Sequence, residues 1–164
     1  MQRSRLWDAS GMRPSLFEFS GGEEAILALA RAHHERCLAD PELNHPFSHS
    51  DLHPQHVERL AAYWGEVLGG PPAYSRASEG QSALLEMHAH NGPMDDLGDR
   101  FVACFAAAMD DAGLPADADF RAAMNGYMRW AVDDVLVYAP VDAVVPAGAR
   151  IPRWGWDGLE SPPG

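Results

Sequence analysis

The chain has 164 residues, 46% of them apolar and 22% charged, with a net charge of −12 from 24 acidic and 12 basic side chains. That describes one domain with enough apolar matter for a core, and it excludes a disordered segment. The acidity also excludes a surface built for the nucleic-acid backbone or an anionic membrane, which leaves a small molecule as the expected partner.

The two cysteines, Cys37 and Cys104, are too far apart for a C-x-x-C motif and read as reduced core thiols. The N-terminal M-Q-R-S-R-L-W-D-A-S-G lacks the apolar run of a signal peptide, and no stretch approaches the ~20 apolar residues of a membrane span. A cytoplasmic protein is expected.

Helical periodicity recurs along the chain and period-two alternation is nearly absent, so the expected class is all-α, with irregular N- and C-terminal extensions. Gly21-Gly22 breaks the chain before E-E-A-I-L-A-L-A-R-A-H-H-E-R-C-L-A-D, whose early glutamates suit a helix start. Ile26, Ala30, Cys37 and Leu38 mark its buried stripe, with His34 among them, and Asp40-Pro41 ends it. After the turn-rich N-H-P-F-S-H-S-D-L-H-P-Q-H, Pro54 opens a second helix. Its stripe is Val57, Leu60, Ala61, Trp64 and Leu68, with His56 at the edge, and Gly69-Gly70-Pro71-Pro72 stops it. A polar loop, A-Y-S-R-A-S-E-G, leads to a short helix around L-L-E-M-H-A-H-N-G. A long helix follows, with Leu97, Phe101, Cys104, Phe105, Ala108 and Met109 inward and Gly113 and Pro115 at its end. Asp117 or Asp119 caps the last helix, whose inner face is Phe120, Met124, Tyr127, Met128, Ala131 and Val135. Beyond Pro140 a tail rich in Pro, Gly and Trp is expected to lie against the surface.

Helix geometry separates the two histidines of L-L-E-M-H-A-H-N-G. At about 100° per residue, His88 falls between Leu84 and Leu85 on the apolar face, while His90 falls beside Glu86 and points to water. An inward histidine is either a core residue with one satisfied hydrogen bond or a ligand. His34 and His56 sit on inward or near-inward faces of two other helices, and three histidines converging on an apolar core each need a partner there. Apolar walls with one strong ligand and a few polar groups opposite describe a haem pocket.

With these residues in hand, the chain resembles the truncated haemoglobins, nearest to the group II type that includes oxygen-binding globins of actinobacteria. The resemblance covers roughly Phe17 to Tyr138. It rests on the Gly-Gly before the first long helix, on H-H-E-R-C-L-A-D-P-E-L where the family often has F-Y-x-R-V-L-A-D-P-x-L, and on the P-F that follows. G-G-P-P-A-Y-S and a histidine eight residues after Gly80 complete it.

The resemblance implies a two-on-two helical sandwich over residues 17–139, between extensions at 1–16 and 140–164. It implies haem b, with His88 as the proximal ligand to iron. Phe47 matches the aromatic wedged against the porphyrin, His34 the distal position usually held by tyrosine, and His56 the distal-helix position facing the gas. Leu60 matches the apolar residue one turn later, and Phe101 a position where many relatives carry tryptophan. Tyr63, Leu84 and Leu85 complete the expected haem contacts, with Arg59 and Tyr74 as candidates for the propionates. The usual tyrosine and tryptophan donors are replaced here, so His34 or His56 must supply the hydrogen bond to dioxygen. Nitric oxide, carbon monoxide and peroxide are the other expected ligands, and any redox turnover needs electrons from a separate reductase. The chain is expected to act as a monomer or homodimer.

The rival reading is a non-haem metal-binding module. His45, His49 and His53 recur every four residues before His56, and zinc or nickel suits such a set. Pro46 and Pro54 interrupt any continuous helix there, so the spacing does not stack the imidazoles.

Overall fold

The computed structural model describes residues 13–43, 55–77, 81, 85 and 95–160. The described residues hold six helices: α1 (Leu16–Ser20), α2 (Glu23–Ala39), α3 (His56–Val67), α4 (Ala73–Ala77), α5 (Asp95–Asp111) and α6 (Ala118–Leu136). Helix α2 packs against both α3 and α5, and α5 packs against α6, which makes two helical pairs laid on one another.

Local chemistry sets the boundaries. Gly22 takes a φ of 87° before Glu23, so the Gly-Gly pair turns the chain into α2, and Asp40 closes that helix in extended conformation. Asp117 caps α6, its carboxylate accepting from the Phe120 amide at 3.0 Å. Gly113, at a φ of 71°, takes the chain out of α5. Arg121 secures that corner by donating to the Pro115 and Leu114 carbonyls and to Asp110. The core joins Leu16, Ile26, Leu29, Trp64, Phe105 and Tyr127, all buried.

Three features depart from the sequence reading. The stretch expected as a polar loop contains α4, tied down by Glu66 of α3, whose buried carboxylate accepts from the Ser75 amide at 2.8 Å and from the Ser75 hydroxyl. Residues 13–16, at the end of the stretch expected as an N-terminal extension, pack with the helices. Ser15 caps α1, and the Phe17 amide donates to the Leu68 carbonyl at 2.9 Å. The tail holds a small hairpin, β1 (Trp154–Gly155) and β2 (Gly158–Leu159), antiparallel with Trp154 opposite Leu159. Its turn uses Gly158 at a φ of 109°. Trp154 Nε1 donates to the Ala123 carbonyl at 2.9 Å, and Trp156 Nε1 to the Pro14 carbonyl at 2.8 Å. The hairpin therefore lies on the helical sandwich, tied to α6 and to the residues just before α1.

The close approach of α1 to the end of α3 explains the glycine pair there. A Cβ on Gly70 would stand 2.7 Å from the Gly65 carbonyl oxygen and 2.8 Å from the Phe17 ring. Gly70→Ala is expected to cost about 1–3 kcal/mol, the range for overpacking, and the midpoint of urea unfolding checks it. No helix among the described residues is long and apolar enough to cross a membrane.

Candidate functional site

The helices bring two of the expected site residues face to face. His34 projects from α2 and His56 from the first turn of α3, with ring centroids 5.5 Å apart and planes inclined by 56°. Both side chains are half-buried, yet His34 Nδ1 and His56 Nε2 are shielded from solvent. Leu60, one turn beyond His56, and Phe101 of α5 are half-buried against the core. The result is a pair of imidazoles beside apolar residues, a donor set that suits hydrogen bonding to a small polar ligand.

The histidine buried in the core is His33, not His34, and sequence reasoning passed over it. Counted from Ile26 at roughly 100° per residue, Ala30 lies near 40°, Cys37 near 20° and His34 near 80°. Leu29, omitted from the expected stripe, lies near −60° by the same count and pulls the centre onto His33, near −20°. Including Leu29 and dropping Leu38 would have found it. His33 is 0% exposed and occupies an aromatic slot. Its ring meets Phe101 edge-on at 4.3 Å, Trp64 at 5.5 Å and Phe105 at 5.9 Å. Phenylalanine fills the corresponding position in the family pattern quoted above, so the aromatic packing is kept while a polar ring replaces an apolar one.

His33 Nε2–H donates to the Phe101 carbonyl at 3.2 Å, and the Cys37 sulfur lies 3.7 Å from the same nitrogen. Its Nδ1 has no hydrogen-bond partner among the described residues. Burial lowers the His33 pKa from 6.5 to about 4, against the Phe101 carbonyl, which raises it, and with a smaller lowering from the neighbouring His34. His33 is therefore neutral at neutral pH and holds the wall on which Phe101 stands.

The other expected contacts divide. Tyr63 and Tyr74 are buried and pack edge-on against each other at 5.1 Å. The Tyr63 hydroxyl donates to Gln81 Oε1 at 2.7 Å, and burial raises its pKa further above the ordinary tyrosine value. Tyr63 thus ties α3 to Gln81, and Tyr74 sits in the core rather than at an open rim. Leu85 is buried and Arg59 half-buried. Phe47, Leu84, His88 and His90 lie outside the described residues, as do His45, His49 and His53 of the rival metal site.

Comparison with known proteins agrees with this architecture. The family model described as bacterial-like globin matches residues 15–135. The haemoglobin of the thermophilic phototrophic bacterium Chloroflexus aurantiacus is 29% identical, with 75% of this chain aligned to 98% of that one at a TM-score of 0.64. The thermostable haemoglobin of the actinobacterium Thermobifida fusca is also 29% identical, over 83% of this chain and 100% of that one, at a TM-score of 0.60. The group II truncated haemoglobin of Bacillus anthracis shares the fold at 21% identity, over 79% and 95% of the two chains, at a TM-score of 0.61. No curated protein sequence matches significantly. Matched over its helical sandwich, with helices that superpose on those of truncated haemoglobins, the chain belongs to the bacterial-like globin family.

Proposed function

We propose that the protein carries haem b on His88 and binds a diatomic gas, dioxygen first, on the side faced by His34 and His56. The single observation that carries this reading is the pair of imidazoles 5.5 Å apart on α2 and α3, each with a ring nitrogen shielded from solvent. It stands on the family assignment and on the place of His88 in the sequence pattern.

Haem iron, when bound, supplies the coordination position for the gas. The chain does the rest. Neutral imidazole is a good ligand to iron, which suits His88. On the side faced by α2 and α3, an N–H of His34 or His56 would donate a hydrogen bond to a bound gas that carries partial negative charge. His33 and Phe101 hold the wall beside His34. Neither Cys37 nor Cys104 belongs to a C-x-x-C-H attachment motif, so the haem is held without thioether bonds, as haem b is.

Peroxide reduction or nitric oxide oxidation is the redox extension of the same reading. Among the described residues, His34 and His56 are candidate proton donors on that side, and a separate reductase would supply the electrons.

Titration of the full chain with haemin tests the reading. A sharp Soret endpoint at one equivalent is expected, with a shift on reduction and another on addition of carbon monoxide. A chain that takes up no haem, and instead retains zinc or nickel, would overturn it in favour of the histidine-rich loop.

A further inference from the structure

Helix α1 has five residues, too few to be held by its own backbone bonds, so contacts from outside must keep it folded. One side is held by the end of α3. The Phe17 amide donates to the Leu68 carbonyl at 2.9 Å, and a Cβ on Gly65 would stand 3.2 Å from the Phe17 ring. The other side is held by the C-terminal hairpin. Trp156 meets the Phe19 ring edge-on at 5.0 Å, and Phe19 packs against Phe120 of α6 at 5.1 Å. The Trp156 N–H donates to the Pro14 carbonyl at 2.8 Å, just before α1. Arg13 lies over the same indole, 4.3 Å from its centroid, and reaches Asp119 in the first turn of α6 at 3.2 Å.

Trp154 anchors the hairpin to α6. Its N–H donates to the Ala123 carbonyl at 2.9 Å, and its ring meets those of Tyr127 and Trp130, with centroids 5.9 and 5.7 Å away. The Glu160 amide donates to the Arg153 carbonyl at 2.8 Å and closes the hairpin. Val137, Val141 and Val144, in the connection from α6, are exposed, so the hairpin is gripped at its far end by the two indoles.

We propose that the hairpin is a clasp that keeps α1 folded against α3 and α6, and that opening it frees α1 while the long helices stay packed. Trp154 is the fixed jaw on α6, and Trp156 is the jaw that closes on α1. The two sides of α1 are coupled through its single turn. When Trp156 leaves Phe19, the Phe17 amide loses the support that keeps it on the Leu68 carbonyl. Helices α2, α5 and α6 pack on one another without α1, so they have no need of the clasp. The globin match ends at residue 135, which makes the clasp an addition to the matched sandwich. The proposal rests on these contacts and stands apart from the haem reading.

Limited proteolysis of the full-length chain with chymotrypsin, the cuts identified by mass, tests it. Cleavage of a folded protein tracks the population that is locally open. In Trp156→Ala, cuts after Phe17 and Phe19 are expected about tenfold faster than in the wild-type chain, the factor for losing an aromatic contact together with a hydrogen bond. Cuts after Phe105 and Phe120, inside the long helices, are expected to lag far behind in both proteins. Trp156→Phe keeps a ring against Phe19 and loses the bond to Pro14, so a smaller rise at the same two sites is expected. This milder variant decides the matter where alanine unfolds the chain. Two results would overturn the proposal. Unchanged cutting after Phe17 and Phe19 in both variants would mean that the hairpin has no hold on α1. Cuts after Phe105 and Phe120 that keep pace with those in α1, in Trp156→Phe, would mean that the tryptophan supports the whole fold rather than α1.

Discussion

Replacing His56 or His34 with leucine speeds the release of dioxygen about tenfold to hundredfold, the effect of losing one hydrogen bond to a charged acceptor worth about 1.5–3 kcal/mol. The expectation follows from the meeting of these rings on facing helices, 5.5 Å apart, with a nitrogen of each shielded from water. Shielding matters because the same hydrogen bond is weaker where water competes for it. Carbon monoxide accumulates much less negative charge and serves as the internal control. Its release should change little if the lost interaction is a hydrogen bond, and should change as much as that of dioxygen if leucine acts by bulk. The imidazoles touch, so the double replacement is not expected to equal the sum of the single ones. Stopped-flow release from the four proteins measures all of this. Unchanged dioxygen release in both single variants would move the donor elsewhere.

The second large effect concerns acid. His33 is neutral and fully buried in the fold, with its pKa lowered to about 4 by burial, whereas in the unfolded chain it returns to 6.5. Between those values the unfolded state binds the extra proton, so this contribution to stability is present above 6.5 and is lost as pH falls toward 4. The cost reaches about 2–3 kcal/mol by about pH 4.5, at 1.36 kcal/mol per unit. His33→Phe keeps the aromatic contacts with Phe101, Trp64 and Phe105 and removes the titrating group. It is therefore expected to flatten the fall in stability between about pH 7 and about pH 4.5 by that amount. Urea unfolding of both proteins at the two pH values checks it. A variant that loses stability as steeply as the wild-type chain would show that other groups carry the acid sensitivity.

Long helices were legible in the sequence because their buried faces repeat over several turns. The Gly-Gly break before α2, the Asp40 stop and the Asp117 cap lie where residue chemistry places them. The missed elements have too few residues for a period to register. Helix α1 spans five residues and depends on the Ser15 cap and on the Leu68 carbonyl, far away in sequence. Helix α4 is equally short and depends on the Glu66 carboxylate. The hairpin strands have two residues each, and the tryptophan contacts to Ala123 and Pro14 that anchor them are visible only in three dimensions. At the site, the convergence of His34 and His56 was legible from two separate helical patterns. His33 was not, because a polar residue in an aromatic slot is recognised by its neighbours rather than by its own chemistry, and because omitting Leu29 while counting Leu38 turned the stripe toward His34.

Whether His88 holds haem iron is read from the visible spectrum of two variants. His88→Ala is expected to lose the sharp Soret band of the haem-loaded protein and to regain a similar band when imidazole is added to fill the vacated position. His90→Ala, altered at the neighbouring histidine two residues away, is expected to keep the wild-type spectrum as isolated, reduced and bound to carbon monoxide. A His88→Ala protein with the wild-type spectrum, or a His90→Ala protein without it, would mean that another residue holds the iron.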